Sequence, residues 1–157
     1  MSATKIILIV IGVGVLIFIG MLVYLFIPTI KNVSGYPSIK ALLNKPLTLK
    51  KESAIYLLDK GSYRFEPYTL YPDQHMGFEK KFDLQTGSVI ILKEFKTYRS
   101  NIGSGFTDLF VLGEWITPSG EKIRFEYIWG NLDGGKPITL PLAIWQDDSE
   151  TLIRFEK

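Results

Sequence analysis

The sequence contains no cysteine. That absence excludes disulfides, thiolate nucleophiles, zinc–thiolate centres and lipidated thiols together. It leaves the compartment open, because a disulfide-free domain with a sufficient core persists in oxidising and reducing spaces alike. Histidine is nearly absent as well, with His75 the one instance. A catalytic triad would have to be built on that residue, and no serine motif accompanies it. Ile102-Gly103-Ser104-Gly105 fails the G-x-S-x-G pattern at its first position.

Clustered cations are also missing. Lys and Arg number 18 against 16 for Asp and Glu, and the doublets Lys50-Lys51 and Lys80-Lys81 are bordered by acids and apolar residues. Nothing here is arranged to displace counterions along a phosphate backbone, so no nucleic-acid partner is expected. Gly134-Gly135-Lys136 lacks the upstream glycine of a phosphate loop and is followed by Pro137 in place of Ser or Thr. Asn131-Leu132-Asp133-Gly134 is a fragment of a calcium loop, without the alternating oxygen ligands of a whole one. No metal and no cofactor are therefore expected.

Charge is wholly absent from Ile6 to Ile27. At about 1.5 Å per residue such a run spans roughly 33 Å, the thickness of a hydrocarbon core. A cleavable signal peptide would have a shorter apolar run and then small residues at a cleavage site, whereas this run ends in Phe26-Ile27-Pro28. Residues 1–28 thus read as an uncleaved, single-pass transmembrane signal anchor, with membrane lipid as the helix's partner. Gly12, Gly14 and Gly20 lack the four-residue spacing that packs two helices together. Lys5 precedes the helix while Lys31, Lys40 and Lys45 follow it, which on charge alone favours the domain inside. Folded domains translocate largely regardless of charge, so the expected arrangement is N-terminus inside and domain outside, periplasmic or extracellular.

Residues 29–37 are polar, carry Gly and Pro, and read as a short tether. The Asn32-Val33-Ser34 glycosylation tripeptide within it lies too near the membrane to be given weight. Residues 38–157 have the size of one independently folding domain. Ser38 is a candidate N-cap for a short helix ended by Pro46. Beyond it the pattern is of strands and turns. The clearest hairpin runs from Phe106–Ile116 through Thr117-Pro118-Ser119-Gly120 to Glu121–Trp129, where Ile123, Phe125, Tyr127 and Trp129 alternate with Lys122, Arg124 and Glu126. About eight short strands without helical crossovers predict an all-β domain, either a small antiparallel barrel (SH3-like or OB-like) or a two-layer sandwich.

Two kinds of residue remain as functional candidates. Carboxylate chemistry on a polymer would need two converging acids from Asp147, Asp148, Glu150, Glu114 and Glu126, although Asp147-Asp148 reads more simply as a turn cap. Trp115, Trp129 and Trp145 read as core rather than as a carbohydrate platform. Tyr68–Gly77 holds Tyr68, Tyr71, His75 and Met76 in a stretch that Pro67, Pro72 and Gly77 should keep irregular. Large apolar and aromatic residues on a loop either tuck into the core or meet a partner, which makes these four the candidate partner-binding residues. The functional expectation is a membrane-anchored, non-enzymatic interaction module with a protein partner, either an envelope-complex subunit or an inhibitor of the immunity type. A small carboxylate-dependent enzyme acting on an envelope polymer is the alternative.

Overall fold

The structure is a computed structural model that describes residues 2–72, 77–101, 106–132 and 138–155. It has one N-terminal apolar helix and a domain made mostly of β-strands. Helix α1 (Ala3–Phe26) is long and apolar enough to cross a membrane and buries none of its residues against the rest of the chain.

The strand that follows begins almost at once. Only Ile27 and Pro28 separate α1 from β1 (Thr29–Asn32), which pairs with β6 (Val89–Arg99) from Thr29↔Arg99 to Asn32↔Lys96. The stretch expected to be a tether is thus half strand. The chain then leaves the sheet for α2 (Pro37–Lys40), whose Ile39 is fully buried, and returns as β2 (Pro46–Thr48) on the same edge of β6. Ser38 does not cap that helix, which starts after Tyr36 with Pro37 in its first turn.

Strands β3 (Ser53–Leu57), β4 (Tyr68–Pro72), β5 (Glu79–Leu84), β7 (Thr107–Ile116) and β8 (Lys122–Asn131) complete an eight-stranded sheet of order β1-β6-β7-β8-β4-β3-β5, with β2 beside β6. The pairings between these strands are antiparallel except β4 with β8, a single parallel bridge at Thr69↔Glu126; Leu43 adds an isolated parallel bridge to Leu92 of β6. The sheet is therefore mixed and is not closed into a barrel, which corrects the barrel expectation. The chain passes from β5 at one edge to β6 near the other through residues 85–88, so the sheet curves round its core. Phe82 of β5 accordingly meets Trp115 of β7, ring centroids 5.4 Å apart. Gly87, at φ +96°, allows the corner.

The predicted β7–β8 hairpin is present. Thr117 and Glu121 close it, the Thr117 N–H donating to the Glu121 carbonyl at 2.8 Å and the Thr117 Oγ1 accepting from the Glu121 N–H at 3.0 Å. Ile123, Phe125, Tyr127 and Trp129 face the core with Ile90, Leu92, Phe95, Leu109, Val111 and Trp115. A short pair, β9 (Ile138–Thr139) and β10 (Arg154–Phe155), brackets a segment whose Leu140, Ala143, Ile144 and Trp145 enter the same core. All three tryptophans are buried: Trp129 packs edge-on against Trp145 at 5.3 Å and donates its Nε1–H to the Pro141 carbonyl at 2.9 Å.

Candidate functional site

The sheet has a second face, and it is not simply wet. On β7 and β8 the positions between the core residues include Phe110, Leu112, Glu126 and Ile128. Phe110, Leu112 and Glu126 are buried, while Ile128 is exposed. Their cover is the β3–β4 connection, residues 58–67. Phe65 lies edge-on to Phe110 at 5.3 Å and to Tyr98 at 6.4 Å, and the Arg64 guanidinium sits 5.0 Å from the Tyr98 ring centroid. Lys96 places its ammonium 5.2 Å from the Phe65 ring, the geometry of a cation over an electron-rich face.

Glu126 fastens this cover. One of its carboxylate oxygens, Oε2, accepts the backbone N–H groups of Phe65 at 2.7 Å, Glu66 at 3.1 Å and Arg64 at 3.2 Å. Glu66 in turn accepts from Arg124 at 2.7 Å, and the Thr69 hydroxyl donates to the Glu126 carbonyl at 3.2 Å. Burial raises the Glu126 carboxyl above its ordinary value, opposed by those three N–H donors and by the Arg64 charge. A carboxylate surrounded by backbone donors is chemically a clamp: it fixes a loop across a sheet face and has no open side for a substrate.

The other candidate acids are likewise engaged. Asp147 pairs with Lys50 at 3.1 Å and Asp148 with Lys51 at 2.9 Å, while Glu150 accepts the Asp147 N–H at 2.9 Å. Glu114 faces Lys93 at 3.6 Å. Glu114 and Glu126 do share the second face as diagonal neighbours, because Glu114 pairs with Arg124 and Leu112 with Glu126. Among the described residues no group of three or more His, Cys, Asp or Glu could hold a metal ion.

Of the four residues singled out for partner binding, His75 and Met76 lie outside the described residues. Tyr68 and Tyr71 stand in strand β4, so the first half of Tyr68–Gly77 is regular where an irregular stretch was expected. Pro72 is tolerated because it takes the last position of β4, three residues past the bridge to β8. Both tyrosines are half-buried. Tyr68 packs on the core, and Tyr71 acts electrostatically on Tyr127. Burial first, then Tyr71, push Tyr127 up to about 12, while a backbone hydrogen bond with Ile144 lowers it. Gly103, Ser104, Asp133, Gly134, Gly135 and Lys136, weighed above for catalytic, calcium and phosphate motifs, also lie outside the described residues.

A second feature lies where the domain meets α1. Asn101, just past β6, donates its side-chain amide to the Ile27 carbonyl at 2.7 Å and to the Tyr24 carbonyl at 3.1 Å. Those carbonyls belong to the end of the helix, where no intrahelical donor remains for them. Beside this junction Ile30 and Phe106 are exposed at 48% and 53%, with Lys31 and Arg99 exposed next to them. Sequence reasoning reached neither the Glu126 clamp nor the Asn101 clasp. An acid at an alternate strand position reads as solvent-facing, and one asparagine in a polar loop carries no periodic signal. Comparison with protein-family models, with curated proteins and with solved structures returned no match.

Proposed function

We propose that this chain is a membrane-anchored, non-enzymatic interaction module, held by α1 with its β-domain on the extracytoplasmic side, where it binds another protein as an envelope-complex subunit or as an inhibitor of the immunity type. The observation that carries this reading is the mounting. Ile27 and Pro28 alone join the helix to a sheet strand, and Asn101 clasps the helix end. A domain fixed this closely cannot range over a distant polymer; it presents one set of surfaces at a set height. The engagement of the Glu126, Asp147 and Asp148 carboxylates supports the same choice, since general acid–base work needs a carboxyl that can reach a substrate proton.

The partner-facing region we assign is Tyr68, Tyr71, His75 and Met76. A photo-crosslinking amino acid at Tyr71, in the full-length protein in its native membrane, is expected to give one discrete protein adduct. The triple variant Tyr71→Ser, His75→Ser, Met76→Ser is expected to lose that partner at an unchanged melting temperature. Full partner recovery, or a collapse in melting temperature, removes the region from candidacy.

The enzymatic reading keeps one observation in its favour, the shared face of Glu114 and Glu126. It would gain the upper hand if the purified protein cleaved an envelope polymer and Glu114→Gln abolished the cleavage.

A further inference from the structure

We infer that the rim of the β-domain around Asn101 and Phe106 is a lipid-binding seat that rests in the headgroup layer of the same bilayer α1 crosses. The inference deepens the anchor reading above and depends on it. Strand direction sets the geometry. Chain entry at Thr29 puts the Arg99 end of β6 beside the helix, and antiparallel pairing then brings the Thr107 end of β7 and the Asn131 end of β8 to the same rim.

Height follows from the Asn101 clasp. With Lys5 held in the far headgroup layer, a hydrocarbon core of about 30 Å counted from Ile6 at about 1.5 Å per residue ends near Phe26, so the last turn of the helix lies at the edge of the interfacial zone. Asn101 bonds the Tyr24 and Ile27 carbonyls of that turn and therefore shares its depth. Thr107 pairs with Arg99, so Phe106 lies one residue further toward the bilayer than the last paired position.

The residues at this level suit such a place. Phe106 and Ile30 are large apolar residues exposed among the described residues, as interfacial anchors are. Lys31 and Arg99 stand beside them, exposed and able to reach lipid phosphates. A contrast exists on the same strand: Ile116, at the opposite end of β7, is as exposed at 50% yet is nine pairing positions from the rim.

Because the chain has no cysteine, single labels can be placed cleanly. The full-length protein, labelled with an environment-sensitive fluorophore at Phe106→Cys, Ile116→Cys or Leu16→Cys, is reconstituted into phosphatidylcholine vesicles containing phosphatidylglycerol and nitroxide-bearing quencher lipids. The expected result is a blue-shifted label at position 106, quenched severalfold more than the label at 116. Equal, weak quenching at 106 and 116 with strong quenching at 16 overturns the seat and leaves the anchor standing. An unquenched label at 16 overturns both. If Phe106→Cys does not fold, Ile30→Cys carries the same expectation.

Discussion

Two residues decide more of this fold than their neighbours in sequence suggest. Gly113 is one: a Cβ built on it would lie 2.5 Å from Phe125 Cζ and 2.9 Å from Cε2, so the ring occupies the place a side chain would take. Phe125 is itself fully buried. Gly113→Ala should therefore cost about 1–3 kcal/mol by overpacking, and Phe125→Ala about 3–5 kcal/mol by cavity formation. Because the new methyl fills part of the space the ring leaves, the double variant should cost less than the two singles summed, which a denaturant-unfolding cycle reads directly. Glu126 is the other. Glu126→Ala should lower stability by about 1–3 kcal/mol and speed hydrogen exchange at the Arg64, Phe65 and Glu66 amides it now holds. Its pH signature has a defined sign. The folded carboxyl titrates above the unfolded value of 4.5, so its contribution is full below that value and is lost as pH rises through the folded pKa. The stability gap between wild type and Glu126→Ala should then be wider at about pH 4 than at about pH 8. A gap that widens with pH would show that the N–H donors outweigh burial.

At the scale of elements, what the sequence shows is local and what it conceals is long-range. Alternation along Ile123–Trp129 and the Pro-Ser-Gly turn before it specify the β7–β8 hairpin, because both signals lie within one pairing. The same alternation misreads Glu126. That residue's burial depends on a loop 60 residues earlier, which no period can announce. Segment 29–33 was hidden for a related reason: a four-residue edge strand is too short for a pattern, and its partner β6 starts more than fifty residues later. The consequence is measurable. Val33 is buried at 3% exposure and donates its N–H to the Phe95 carbonyl at 2.9 Å. A chain beginning at Pro28 should thus be more stable than one beginning at Gly35 by at least the roughly 1.5–3 kcal/mol of a buried valine. Equal melting temperatures for the two would mean that β1 adds nothing to the sheet.

At the scale of the whole molecule, the proposed orientation rests on how the charges flanking the helix are weighed, and the fold shows where those charges lie. Lys31 lies in β1, Lys40 ends α2, and Lys45 directly precedes β2, so all three lysines that follow the helix belong to the folded unit. None sits in a free loop of the sort whose charge sets orientation, and a translocating domain carries its charges with it. Lys5 is then the flanking charge left to weigh, and it is the basis of the proposed N-terminus-inside arrangement. Position 119 is the informative probe, because Ser119 is exposed in the β7–β8 turn, at the end of β7 away from the helix. Ser119→Cys should react with a membrane-impermeant maleimide in intact cells or spheroplasts, where it is the chain's one thiol. Ser100→Cys, next to the Asn101 that bonds the helix-end carbonyls, should react more slowly in the same cells. Labelling of position 119 only after lysis would place the domain in the cytoplasm, and with it the search for a partner.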